Sequence, residues 1–186
     1  LYPQVIADQT LYIPESGNGV NDLLDELKYE LDWLVTMQDE DGGIFHKLTA
    51  KNFSGFISPE AYNLDRYVIG KGTAASLDFA AVLAQAARLL APTHELWSQM
   101  ALRAAEKAWK WAQLNPQMAF SNPDYVKTGE YEDTQFDDDF YWAAAELYLA
   151  TQEAMYLNYL QSNKETYQNQ PIVGIFLQEM SASLRC

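Results

Sequence analysis

The sequence predicts an all-α chain built from stacked helical hairpins, and three observations carry that prediction. Apolar residues recur at helical spacing in successive stretches. No segment alternates apolar and polar residues convincingly over strand length. Long loops follow alternate helices, which pairs the helices and gathers the loops at one end, where sites tend to collect.

The elements follow in order. Residues 1–19 read as an irregular lead-in, because Pro14, Gly17 and Gly19 break any regular pattern. The first helix runs from about Asn21 to Gln38, with Val20, Leu23, Leu24, Leu27, Leu31, Leu34 and Val35 on one face. Asn21 is its predicted N-cap, and Gly42-Gly43 ends the element. Residues 39–71 form a long loop with a short extended piece at Ile44-Phe45-His46. The aromatics Phe45, Phe53, Phe56, Tyr62 and Tyr67 argue against disorder there.

A second helix spans about Thr73 to Ala91, and its many alanines suit close packing on several sides. Pro92-Thr93 breaks it. A third runs from His94 to Leu114, before Pro116, and residues 115–136 form another loop. The fourth helix covers about Asp138 to Ala150 and a fifth about Glu153 to Leu160. Pro171 followed by Ile172, Ile175, Phe176 and Met180 suggests a sixth. Of the tryptophans, Trp33, Trp97, Trp109, Trp111 and Trp142 fall at helical positions and read mostly as core.

Composition narrows the function. The 186 residues suffice for one domain with a real core, and 48% are hydrophobic. A net charge of −14 argues against nucleic acid, whose phosphates want Lys and Arg clusters, and against an anionic membrane surface. A neutral ligand such as a sugar is compatible with it. No window approaches the apolar run that a membrane span needs. The single cysteine, Cys186, allows no internal disulfide, and His46 and His94 are the only histidines, so a structural zinc lacks ligands.

The run Asp137-Asp138-Asp139 opens an apolar, alanine-rich helix. Acids there face the positive end of the helix dipole and can cap its free N–H groups. Three adjacent carboxylates also repel one another, so either solvent or a cation such as calcium holds them.

Several segments in order resemble family 9 glycoside hydrolases, the inverting cellulases with an α/α-barrel. They are Ile13-Pro14-Glu15-Ser16-Gly17-Asn18-Gly19 leading into Asp22-Leu23-Leu24-Asp25-Glu26, then Gly42-Gly43-Ile44-Phe45-His46-Lys47, Ser58-Pro59-Glu60 and Arg66-Tyr67-Val68-Ile69. Ala74-Ala75-Ser76-Leu77-Asp78-Phe79, Thr128-Gly129-Glu130-Tyr131-Glu132-Asp133 and the acidic helix complete the series. The likeness covers roughly residues 11–160. His46-Lys47-Leu48-Thr49 resembles the branch that carries an immunoglobulin-like domain before the barrel. The chain then reads as a single partial catalytic domain over 1–186. Helical hairpins occupy 20–163, half of an (α/α)6 toroid, and 164–186 is the tail that matches the family least.

The resemblance implies chemistry. Inverting glycosidases place a base and an acid carboxyl roughly 6.5–9.5 Å apart, with room for a water. In the family the base comes from an Asp-Ala-Gly-Asp segment before the first of these helices, and the acid is a Glu far downstream. Neither segment occurs in this chain. Asp22 and Asp25 share the three-residue spacing but fall inside the predicted first helix. The expectation is a fragment of a β-1,4-glucan hydrolase with no catalytic residue of its own, inactive by itself and secreted or periplasmic. A non-catalytic glycan-binding module, a β-1,4-glucosaminide (chitosan-oligomer) hydrolase and a glycan enzyme with its acids inside the chain are the alternatives.

The resemblance also implies site residues. His46 matches a residue that hydrogen-bonds the sugar near the cleavage point, and a neutral imidazole can donate or accept. Lys47 reads as structural or solvated. Tyr131 lies where family members stack aromatics on sugars, with Phe136 and Tyr125 as weaker candidates of that kind. Arg66 has two readings, a pair with Glu60 or Asp65 or a contact with substrate. Asp138 and Asp139 match an Asp-Glu pair that binds calcium in some members, with Asp133 able to add an oxygen. A half-barrel exposes apolar helix faces, so self-association is expected.

Overall fold

The computed structural model describes residues 11–131 and 133–164. Five α-helices and one β-hairpin occupy them, in the order α1 (Asp22–Val35), β1 (Phe45–Thr49), a 3-10 turn (Pro59–Ala61), β2 (Tyr67–Lys71), α2 (Thr73–Leu90), α3 (Glu95–Leu114), α4 (Asp137–Thr151) and α5 (Ala154–Ser162). The suggested sixth helix lies outside the described residues.

The core forms where α2 packs against both α3 and α4, and α5 folds back on α4. Alanines make this possible. Ala80, Ala81 and Ala84 of α2, Ala101, Ala105 and Ala108 of α3, and Ala143 and Ala144 of α4 are fully buried, so the backbones approach closely. Larger side chains fill the remaining space. Trp109 makes edge-on contacts with Phe140, Tyr156 and Tyr159 at centroid distances of 5.6, 5.7 and 5.3 Å. Arg88 of α2 and Glu146 of α4 add an ion pair across the helices, supported by Gln85 Nε2 donating to Glu146 Oε1 at 3.4 Å.

The Asn21 cap is as predicted: its Oδ1 accepts from the backbone N–H of Leu23 at 3.1 Å and of Leu24 at 3.4 Å. The helix stops at Val35, however, well before the glycines. Gly42 and Gly43 serve a different purpose. Gly42 takes φ +104 in a tight turn, and a Cβ on Gly43 would lie 2.5 Å from the Trp111 ring. The turn is therefore pressed against α3. Lys71 Nζ clasps it, 2.7 Å from Asp39 and 2.8 Å from Asp41, while Trp111 Nε1 donates to Asp41 at 3.0 Å.

Two expectations are corrected. The 39–71 segment contains an antiparallel hairpin, with Phe45 opposite Lys71, Lys47 opposite Ile69 and Thr49 opposite Tyr67. Period-two reasoning misses it because every β1 residue is half-buried and Gly70 interrupts β2. The chain also does contain a helix long and apolar enough to cross a membrane, Thr73–Leu90, with mean hydropathy 1.2. The helix is spent inside the protein instead: 61% of its residues are buried, and it packs against α3 and α4.

The tryptophans divide. Trp109 and Trp111 are buried, whereas Trp33 and Trp142 keep 47% and 37% of their surface exposed.

Candidate functional site

The hairpin and the 115–131 loop meet beside the helical core and form a groove wall. Lys47 ties them together. Its ammonium donates to the Gly129 carbonyl at 2.5 Å and to Thr128 Oγ1 at 3.3 Å. The Thr49 and Thr128 hydroxyls lie 2.8 Å apart, and Asn122 Nδ2 donates to the Thr128 carbonyl at 2.7 Å. Lys47 is thus structural, as read from the sequence. Partial burial depresses its pKa, because desolvation disfavours the charged form.

This wall borders a concavity of about 330 Å³ lined by Lys47, Thr49, Tyr62, Arg66, Thr128 and Tyr131 among others. A second one, of about 500 Å³, adjoins it and shares Ser54, Tyr62 and Arg66. Arg66 and Tyr131, distant in sequence, therefore stand at one groove. Tyr131 is 76% exposed and sits at φ +56, the left-handed region that a tyrosine rarely adopts. Arg66 makes no ion pair with Glu60, Asp65 or any other acid among the described residues. Among the described residues that line the two concavities there is no Asp or Glu.

His46 is not among the lining residues; it stands one residue behind the wall, half-buried on β1. Its Nε2 donates to the Glu130 carbonyl at 3.1 Å, and its ring stacks on Phe120 at 4.0 Å and 11°. Burial depresses its pKa, with Lys47 adding in the same direction and the Glu130 carbonyl opposing. Phe136 is 3% exposed and belongs to the core, which removes it as a stacking candidate. Tyr125 is exposed, with the Lys51 ammonium 5.6 Å from its ring.

The acids cluster elsewhere. Asp139 lies in the first turn of α4, and burial first, then the charges of Asp78, Asp138 and Asp133, push its carboxyl up to about 7. The helix dipole opposes that rise and loses. Asp139 Oδ2 is buried without a hydrogen-bond partner among the described residues. Asp78 of α2 reaches solvent, yet protein surrounds it closely enough that desolvation, then Asp133 and Asp138, push it up to about 6. Sequence reasoning passed over Asp78; the available signal was a lone acid on an otherwise apolar, alanine-rich helix. Asp133 Oδ1 accepts from the Gln135 N–H at 2.9 Å in a local turn. In charge, the group fits a hard cation. As a ligand set it is incomplete, since no three Asp, Glu, His or Cys side chains converge among the described residues.

Asp22 and Asp25 have local roles. Asp22, 5% exposed, accepts from the Leu11 N–H at 2.7 Å and from Ser16 Oγ at 2.6 Å, and Asp25 accepts from Asn18 Nδ2 at 3.0 Å. Both tie down the lead-in segment.

Comparison with known proteins places this geometry in context. Residues 4–182 match the profile described as glycosyl hydrolase family 9. The chain is 47% identical over 167 residues to a xyloglucan-specific endo-β-1,4-glucanase of Bacteroides ovatus, covering 84% of this chain and 28% of that protein. It is 40% identical over 149 residues to endoglucanase D of Acetivibrio thermocellus, covering 79% and 24%. A solved Bacteroides ovatus GH9 structure superposes with TM-score 0.83 at 44% identity, covering 87% of this chain and 31% of that one. The chain thus spans about a quarter of the length of the curated relatives it matches. The helical hairpins correspond to part of an α/α-barrel.

Proposed function

The chain belongs to glycosyl hydrolase family 9, and on that premise we propose that it supplies one wall of the glucan-binding groove of an inverting β-1,4-glucan hydrolase of the cellulase or endoglucanase type. The observation that carries the reading is the groove at the hairpin. There an exposed tyrosine held in left-handed backbone and an arginine with no ion pair among the described residues line one concavity. A flat ring covers the C–H face of a sugar, and a guanidinium and hydroxyls serve its oxygens.

The same groove argues that this polypeptide does not hydrolyse the bond it binds. Inversion needs two carboxyls, and the described lining residues include none. It also disfavours amino-sugar oligomers, because Lys47 and Arg66 would repel their ammonium groups. A branched glucan is the preferred substrate form. The second concavity meets the first at Tyr62 and Arg66, where a side-chain sugar could leave the main chain.

Calcium belongs to this proposal as a structural ion at Asp133, Asp138 and Asp139, with Asp78 alongside and further oxygens from backbone or water. The parent protein is read as secreted or periplasmic, and the chain as self-associating through its exposed helix faces.

Two measurements test the reading. Calorimetry with cellotetraose and a xyloglucan oligomer should give binding that Tyr131→Ala weakens about tenfold, since covering roughly 50 Å² of ring is worth about 1.3 kcal/mol. A reducing-sugar assay should detect no products. Turnover by the purified chain, or binding indifferent to both Tyr131→Ala and Arg66→Ala, would sink it.

A further inference from the structure

We propose that Phe53, Phe56 and Ile57, in the loop that joins β1 to β2, form an apolar ridge on which a long β-1,4-glucan lies as it runs on from the groove, so that this surface takes the polysaccharide in preference to a short oligosaccharide. This rests on the proposed function and extends it from the groove to the surface beside it.

Elsewhere the fold keeps phenylalanines out of water. Phe79, Phe120, Phe136 and Phe140 are at most 7% exposed. In the hairpin loop Phe53 is 71% exposed, Ile57 is 47% exposed and Phe56 stands wholly in solvent. Single exposed apolar residues are ordinary on a protein surface, whereas a run of large ones marks contact with a partner.

The position of the run decides which partner. Phe53 lines the first concavity, Ile57 lines the second, and Ser54 borders both. Phe56 lines neither, so only a ligand that continues beyond the concavities reaches it. The ridge is therefore continuous with the groove assigned to glucan. Charge agrees with that occupant. Residues 52–59 carry no charged side chain, in a chain whose net charge is −14. A neutral sugar polymer settles there without desolvating a charge. A basic protein would be drawn instead to the acidic remainder of the surface. A β-1,4-glucan carries hydroxyls at the edges of its rings and C–H groups on their faces, and a flat aromatic ring covers such a face.

The ridge is braced at both ends. The Lys51 carbonyl accepts from the Lys127 N–H at 2.7 Å, which ties the start of the loop to the 115–131 loop. At the far end the Pro59–Ala61 turn is closed by the Ala61 N–H donating to the Ser58 carbonyl at 3.0 Å. Gly55 turns the backbone between these points at φ +72, and a Cβ there would meet nothing within 4 Å. That glycine serves the direction of the chain rather than its packing. A surface already held in place loses little freedom when a polymer settles on it.

The test compares the wild-type chain with Phe56→Ser, Phe56→Leu and Phe56→Tyr, by affinity electrophoresis in xyloglucan polysaccharide and by calorimetry with cellotetraose. The position is wholly exposed, so far-UV circular dichroism should not change. Phe56→Ser should lose about tenfold more affinity for the polysaccharide than for cellotetraose, the order expected when one ring is no longer covered. Phe56→Tyr keeps the flat ring and should hold the polysaccharide as the wild type does, whereas Phe56→Leu should fall with Phe56→Ser. No excess loss for the polysaccharide, or a Phe56→Leu chain that binds it as tightly as the wild type, overturns the ridge. So does a Phe56→Ser chain that stops self-associating in light scattering while holding the polysaccharide as before, because the loop then joins copies of the chain. Cellotetraose that binds neither the wild type nor any variant overturns the groove reading instead, and polysaccharide binding alone then judges the ridge.

Discussion

Replacing Arg88 with Met should destabilise the chain by about 3 kcal/mol, because it strands the Glu146 carboxylate inside the helix stack. The magnitude follows from the two environments. The Glu146 side chain is 12% exposed and that of Arg88 30%, so the pair lies between a surface ion pair, worth about 0–1 kcal/mol, and a fully buried one, whose breaking costs about 3–5. The carboxylate sets the penalty, since it is the more deeply enclosed partner. Its remaining donor, Gln85 Nε2, is 3.4 Å away and cannot replace a guanidinium. For a chain of this size 3 kcal/mol corresponds to a fall in Tm of about 6–12 °C. Replacing both residues, as Arg88→Met with Glu146→Leu, should recover stability to within about 1 kcal/mol of wild type, because no uncompensated charge remains. Urea unfolding followed by far-UV circular dichroism measures all three proteins. A loss below about 0.5 kcal/mol for Arg88→Met, or a double variant no better than the single one, would show that the pair does not pin α2 to α4.

The His46 environment makes a pH prediction. Its folded pKa lies below the ordinary histidine value, so the unfolded chain takes up a proton first as pH falls. The contribution to stability is complete above about pH 6.5 and declines below it. His46→Gln should flatten this part of the stability–pH curve, as followed by denaturant midpoints from pH 5 to 8. Calcium should raise the Tm of the wild-type chain in a saturable way that EGTA reverses, and Asp139→Asn should abolish the response; equal shifts with magnesium or in the variant would argue against a site. Light scattering across a dilution series should show association that weakens when the exposed Tyr29, Trp33 and Leu114 are replaced by polar residues. A monodisperse monomer at every concentration would refute that expectation.

Much of the helical framework was legible because its signals are local. Thr73–Leu90, Glu95–Leu114, Asp137–Thr151 and Ala154–Ser162 all lie within one or two residues of the ranges that periodicity, Pro92 and Pro116 suggest. The first helix ran long in prediction because its end was assigned to Gly42-Gly43, whereas it stops at Val35 and those glycines serve the turn pressed against α3. The hairpin was illegible because its pairing spans residues 45–71 and its glycine serves an aromatic from residue 120. Arg66 and Tyr131 were named from family likeness; their sharing of one groove depends on Lys47 bridging to Gly129 and Thr128, which no local pattern encodes. Asp78 escaped notice because only the packing of α2 on α4 brings it near Asp133 and Asp138.

The left-handed backbone at Tyr131 has a practical consequence for anyone improving this protein. A non-glycine residue there costs roughly 1–2 kcal/mol, and asparagine or glycine would recover part of it. Directed evolution that rewards heat resistance alone would therefore be drawn to this position and would discard the aromatic ring. Screening for thermal survival and polysaccharide capture in the same round keeps the ring and exposes the trade between the two.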